Sequence, residues 1–221
     1  GKIFMKYDEL HYERIDLDET KNNMSGLVKK FNEAKNADEQ IDVIMKIDSF
    51  SRDYSTYQSM ASLNFSRNIN DEDAKSEKEY YDSITPDMTE SYNLFDKALN
   101  ASSFKKEISE KFGDTFLNQR ELNLKTFDSK IKKMLKEEID LKNEYTKLTA
   151  GAKIEFGGQE YNLAGLGPFH SDSDRDIRKK SYEARFDWFK KNEYELDNIY
   201  DKLVKLRHKI AVELGLSLIH I

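Results

Sequence analysis

The chain has no cysteine. That excludes disulfide frameworks, thiolate metal sites and thiol nucleophiles together, and it fits a reducing, cytoplasmic compartment. Proline occurs twice and glycine nine times in 221 residues, too sparsely for a low-complexity tract or a linker between domains. No apolar run approaches the ~20 residues of a membrane span, and no charged-then-apolar leader opens the chain. Excess positive charge is missing too. A formal net charge of −6 and a pI near 5.4 argue against sequence-independent binding to nucleic-acid phosphates or to anionic membranes. Lys130, Lys132, Lys133 and Lys136 are interleaved with acids and read as a solvated helix face.

Recognisable catalytic patterns are equally scarce. The histidines are His11, His170, His208 and His220, and none completes the His-Glu-x-x-His pattern that places two imidazoles one helical turn apart with a carboxylate to activate water. There is no Glu-x-x-His pair for a di-iron bundle, no Gly-x-Ser-x-Gly elbow and no Gly-Lys-Ser/Thr phosphate loop. Glycines 151, 157, 158, 165 and 167 lack dinucleotide-binding spacing. No residue is therefore assigned a catalytic, cofactor-binding or metal-ligating role.

What is present is helical periodicity. Asp18 reads as the N-cap of a helix carrying Met24, Leu27, Val28 and Phe31, and Asn36-Ala37-Asp38 as its break and the next cap. A second helix spans about Asp38 to Arg67, with Ile44, Ile47, Ser51, Tyr54, Ala61 and Phe65 on one face. Asp71 caps a third, which Thr85-Pro86 is expected to interrupt, since proline suits a first turn better than a helix interior. Met88, Tyr92, Phe95 and Leu99 continue with helical spacing. Ser102 or Ser103 starts a short helix that Gly113 ends as a left-handed C-cap. Phe127, Met134, Leu141 and Leu148 recur every seven residues, with Ile131 and Tyr145 beside them, so one helix with a buried stripe is expected there. Glu138 interrupts that stripe, so it is expected either exposed at a stripe edge or paired with an arginine, with Arg175 and Arg178 as candidate partners.

The period then changes. Ile154 and Phe156, then Tyr161 and Leu163, alternate around Gly157-Gly158, predicting a hairpin near residues 153–163 that must lie against helices. The run Ser171-Asp-Ser-Asp-Arg-Asp-Ile-Arg opens a further helix, with Ile177, Ser181, Ala184 and Trp188 on one stripe and Tyr182, Phe186 and Phe189 on another, both read as core. A last helix starts near Glu193 and steps through Leu196, Ile199, Leu203, Leu206, Ile210 and Leu214, with Asp201 and Lys205 as an exposed pair. The fold class is all-α, a multi-helix lobe with one small β-hairpin.

Four segments, in order, carry a family resemblance. They are Leu135-Lys-Glu-Glu-Ile-Asp-Leu-Lys-Asn-Glu-Tyr-Thr-Lys-Leu, Ala152-Lys-Ile-Glu-Phe-Gly-Gly-Gln-Glu-Tyr-Asn-Leu, Ser173-Asp-Arg-Asp-Ile-Arg-Lys-Lys-Ser-Tyr and Leu203-Val-Lys-Leu-Arg-His-Lys-Ile-Ala-Val-Glu-Leu-Gly. Weaker likeness runs back through Tyr80-Tyr-Asp and Phe104 to Gly113. Together they resemble the amino-terminal helical region of the oligoendopeptidase F group of thimet-like zinc metallopeptidases, over about Met5 to Gly215. The resemblance implies a helical wall of a deep cleft that admits short unstructured peptides. It also implies a parent that hydrolyses internal peptide bonds with a zinc-activated water, through His-Glu-x-x-His and a further glutamate in its carboxyl-terminal portion. No position here matches those residues, so the chain is expected to bind no zinc and to be inactive alone.

The implied partners are oligopeptide substrates, through the parent's cleft, and the parent's own catalytic region. On this reading residues 1–4 are non-native or upstream, 5–215 are the lobe, and 216–221 are a truncated or foreign tail. The alternative is a freestanding helical module that binds a partner helix or peptide without catalysis. A bare apolar face near Tyr161 to Phe169 and Leu214 to Ile221 would favour the lobe.

Overall fold

A computed structural model describes residues 6–216. Among them lie nine α-helices and one two-stranded antiparallel sheet, the expected all-α architecture with a hairpin. The chain divides into two units, with the boundary between Lys132 and Lys133.

The first unit is built from α1 (Leu17–Glu33), α2 (Ala37–Arg67), α3 (Glu72–Asn100), α4 (Lys105–Phe112) and α5 (Asp114–Thr126). Helix α1 starts two residues before the sequence reading placed it. Asp16 is the extended residue, and its carboxylate accepts the Glu19 amide at 2.8 Å, while Asp18 lies inside the first turn. Asn36 and Asp71 cap α2 and α3 in the same way. The predicted face of α2 is buried, apart from half-buried Ser51.

Pro86 does not interrupt α3. Pro86 itself is buried, with Tyr81, Ile84 and Met88 around it, and those three join Tyr54 and Ala61 of α2 in one apolar cluster. Around the proline, side-chain hydroxyls bond to helix carbonyls, Thr85 to Tyr81 at 2.7 Å and Thr89 to Thr85 at 2.9 Å. Burial of this stretch outweighs the local penalty of proline, about 3 kcal/mol in an exposed helix. A second cluster holds Met24 and Phe31 of α1, Ile44 and Ile47 of α2, Phe95 and Leu99 of α3 and Ile108 of α4. At its centre Phe31 meets Phe95 edge-on, with ring centroids 5.7 Å apart. Phe50 and Tyr92 pack against both clusters and make them continuous.

Phe104 is the N-cap of α4 and makes no side-chain cap bond; two residues before it lies the Ser102 hydroxyl. It donates to buried Gln40 at 2.6 Å and accepts the Phe104 amide at 3.0 Å, while Gln40 donates to the Phe31 carbonyl at 3.1 Å. Gly113 does close α4, but with φ 86° and ψ 155° it is extended with positive φ and not in the left-handed helical region. This backbone lets α5 begin immediately. Sequence reading missed α5, which buries no residue fully and so shows little periodicity.

The expected single helix over 127–148 is split. Phe127 is extended, Asp128 accepts the Lys130 amide at 2.9 Å, and a 3-10 turn at Ser129–Ile131 precedes α6 (Lys132–Ala150). Phe127, Ile131 and Leu141 are buried, whereas Tyr145 is 49% exposed.

In the second unit, β1 (Ile154–Phe156) and β2 (Gln159–Tyr161) pair with Ile154 opposite Tyr161 and Phe156 opposite Gln159. Gly157 and Gly158 turn the chain with φ of 59° and 82°, as a tight two-residue hairpin turn requires. The sheet lies against helices, as so short a hairpin must. Ile154, Leu166 and Trp188 are buried together, and Phe169 touches Phe156 and Tyr161 with centroids 4.9 and 5.2 Å away. Helices α7 (Gly167–His170), α8 (Arg175–Lys191, capped by Asp174) and α9 (Glu193–Glu213) complete the unit. Ser181 and Trp188 are buried on the first α8 stripe, while Tyr182 and Phe186 of the second are exposed, against expectation. Tyr161 to Phe169 is largely packed into the unit and is not a bare face. Of Leu214 to Ile221, only residues 214–216 fall within the described residues.

Gly113 offers a clean test. An added Cβ would meet nothing within 4 Å, so the penalty there is purely conformational. Gly113→Ala is expected to destabilise the chain by about 1–3 kcal/mol, read as a lower urea midpoint at unchanged m-value.

Candidate functional site

The histidines do not converge. His11 is a surface residue 3.4 Å from Glu13. His170 closes α7 with its ring stacked on Tyr182, centroids 4.2 Å apart, and its Nε2 is enclosed without a hydrogen-bond partner. His208 is exposed on α9, and His220 lies outside the described residues. Among the described residues no group of three or more His, Asp or Glu could hold a metal ion. The described residues therefore do not fit the zinc implied by the resemblance.

A polar concavity of about 530 Å³ is open to solvent at the end of the α2–α3 hairpin and is lined by Tyr12, Asn64, Arg67, Asp71 and Glu77 among others. Several of these groups already have partners: Asn64 accepts from the Tyr7 hydroxyl at 2.9 Å, and Asp71 caps α3. The Tyr12 hydroxyl donates to Glu77, and Arg14 pairs with the same carboxylate at 2.8 Å. Partial burial and then the bond to Glu77 hold the Tyr12 phenol well above its ordinary range. Tyr80 and Tyr81 donate to the carbonyls of Ile15 and Glu13 at 2.6 and 3.1 Å. These bonds staple the extended segment before α1 onto α3. The arrangement fixes a chain segment and presents no nucleophile beside a free base.

Two carboxylates of α3 are enclosed by charged partners. Asp96 is 2% exposed, accepting from Arg120 at 3.4 Å and Asn123 at 3.3 Å, both on α5. Burial raises its affinity for a proton, and Arg120 and Asn123 only partly offset this. The Arg120 guanidinium also lies over the rings of Phe116 and Phe95, 5.2 and 5.9 Å from their centroids. On the same helix Asp87 accepts from Lys132 at 2.7 Å and Lys21 at 3.2 Å, and Lys132 also reaches Glu90 at 2.8 Å. Partial burial pushes the Asp87 carboxyl up, but the two lysines outweigh it and hold it below the usual carboxylate range. The hydrogen bonds to Asp87 and Glu90 raise Lys132 in turn.

Glu138 is paired with an arginine, but the partner is Arg207, whose Nε is 2.9 Å from the carboxylate, and not Arg175 or Arg178. Arg178 is spent on the carbonyls of Asp172 and Ser173, at 2.7 and 3.0 Å, where it closes the loop that opens α8. The ion pair joins α6 to α9, a contact that spacing along the chain could not reveal. The Asp201 to Lys205 pair forms as expected, at 2.6 Å.

These features describe a scaffold whose buried charges are used for packing. The profile of the Peptidase M3 N-terminal domain matches residues 7–127, more than half of the chain. The chain belongs to the M3 peptidases. Solved structures extend the likeness of this M3 chain through the hairpin and the last helices. A candidate oligoendopeptidase F is 36% identical over 97% of the chain, with a TM-score of 0.91. PZ peptidase A, solved with an inhibitor, is 37% identical over 96% at the same TM-score. A candidate oligoendopeptidase F from Bacillus anthracis str. Ames is 34% identical over 97%, again with a TM-score of 0.91. The M3 chain spans only 38% of the length of the first two and 39% of the third. Comparison with curated proteins yields no match. The matched region is the N-terminal domain of the M3 family.

Asp96 contributes one pH dependence to this domain. Its carboxyl binds a proton more tightly folded than unfolded, so stability attributable to it is greatest below the ordinary carboxylate value of 3.8 and falls as pH rises through the raised folded value. Asp96→Asn, which removes the titration, is expected to gain in melting temperature relative to the parent sequence as pH goes from 3.8 to neutral. Arg120→Ala leaves the buried carboxylate short of its cation and is expected to cost about 2 kcal/mol. That is less than a fully buried pair would lose, because Arg120 is 30% exposed. Adding Asp96→Asn should restore most of the loss, measured by urea unfolding at pH 7.

Proposed function

We propose that this chain is the amino-terminal lobe of a cytoplasmic zinc metallo-oligoendopeptidase that hydrolyses internal bonds of short peptides. The observation that carries the reading is the match to oligoendopeptidase F over 97% of this chain but only 38% of that protein, at 36% identity. The catalytic region, with its zinc ligands and general-base glutamate, lies on this reading in the portion of the parent outside these residues. Zinc there would supply an activated water at neutral pH.

The contribution of the lobe is shape. Helices α1 to α3, joined by continuous apolar clusters, make a stiff wall, and a wall beside a cleft admits extended oligopeptides while excluding folded proteins. The absence, among the described residues, of a helix long and apolar enough to cross a membrane is compatible with the cytoplasmic reading.

The freestanding binding module is the competing account, and the exposed Phe186 and Tyr200 give it some support, since bare aromatics also serve binders. The two separate at the reading frame. Continuation past Gly215 into His-Glu-x-x-His and a later glutamate is expected. The encoded full protein should cleave an internally quenched oligopeptide, lose that activity to 1,10-phenanthroline and regain it with zinc. The 221-residue chain alone should bind no stoichiometric zinc and cleave nothing. A native stop after Ile221, or chelator-sensitive cleavage by the chain alone, would overturn the proposal.

A further inference from the structure

Helix α8 is apolar on two sides. One carries Ile177, Ser181, Ala184 and Trp188 and is packed against the hairpin and its neighbours. The other carries Tyr182 and Phe186, one turn apart and 47% and 64% exposed. The His170 ring stacked on Tyr182 extends that second side by a further aromatic surface. Helix α9 repeats the pattern. Ile199 and Leu206 are buried, while Tyr200 and Val204, again one turn apart, are 70% and 49% exposed. The three most exposed large apolar side chains in the described residues, Tyr194, Tyr200 and Phe186, all lie on these two helices.

A helix that meets water on one side needs only one apolar stripe, and a second stripe is the pattern of a helix covered from both sides. Isolated exposed apolar residues need no explanation, but turn-spaced apolar pairs on consecutive helices do. The solved relatives show how much chain is available to cover them, since this chain accounts for 38% of their length.

We propose that the Tyr182–Phe186 and Tyr200–Val204 faces are an intramolecular docking surface, covered by an apolar segment of the parent's remaining chain. The inference rests on the proposed function, because it needs that remaining chain to exist. It adds which faces of the lobe the remaining chain closes over, and it makes α8 and α9 interior helices of the whole protein.

The lack of cysteine within these residues makes the test direct. Phe186→Cys and Tyr200→Cys, made separately, each introduce one thiol at a known place in the lobe. Maleimide labelling is followed by peptide mass spectrometry in the 221-residue chain, in the full protein, and in both unfolded in urea. In the short chain labelling is expected near the urea rate, and in the full protein at least ~10-fold more slowly, as protection by packing requires. Near-urea rates at both positions in the full protein overturn the inference. Slow labelling in the short chain that speeds up on dilution also overturns it, in favour of a second copy as the occupant. Peptide cleavage by the full protein is scored separately. An active protein with both thiols unprotected leaves the peptidase reading standing and removes this surface, while protected thiols in an inactive protein do the reverse. A reading frame that ends at Ile221 removes both.

Discussion

Phe95, Leu99, Tyr81 and Met88 are each about 1% exposed and all come from α3, which contributes to both apolar clusters of the first unit. That helix packs against α1, α2 and α5, so an uninterrupted α3 is the constraint on which the unit depends. Its tolerance of Pro86 follows. Breaking the helix there would separate Tyr81 and Ile84 from Phe95 and Leu99 and divide one continuous core into two. Burial of a large apolar side chain contributes about 1.5–3 kcal/mol, so several such residues outweigh one missing helix bond and its steric strain.

The charges on α3 are arranged around the same helix. Asp87 and Glu90 meet Lys132 where the chain leaves the first unit, and Lys21 joins them from α1. Asp96 fastens α5, a helix with no fully buried residue of its own, through Arg120 and Asn123. A helix that cannot be held by a continuous apolar stripe is held here by partly buried Phe116 and Leu117 and by one buried carboxylate. The price is a group that ionises reluctantly. The described histidines, His11, His170 and His208, take no part in these ion pairs.

Much of this was legible along the chain. The faces of α1 and α2, the caps at Asn36 and Asp71, the Gly157-Gly158 turn and the Asp201 to Lys205 pair are local, set by residues within a turn or two of one another. What was not legible depended on partners distant in sequence. Glu138 and Arg207 are 69 residues apart. Ser102 bonds to Gln40, 62 residues earlier, while Phe104 is the N-cap of α4. Helix α5 escaped notice because its attachment is polar and its periodicity weak. The Tyr182–Phe186 stripe was read as core because spacing reports that a face is apolar and not what it meets. The family was legible in the order of four motifs.

By itself the sequence determined the helical class, the hairpin, most helix boundaries and the family, because capping, periodicity and turn chemistry act over a few residues. Tertiary structure alone decided that α3 runs through Pro86, that α5 exists as a docked helix, which arginine answers Glu138, and which of the two α8 stripes is buried. Each of these is settled by competition between a local preference and the burial or pairing of groups far apart in the chain, and only the assembled fold brings those groups together.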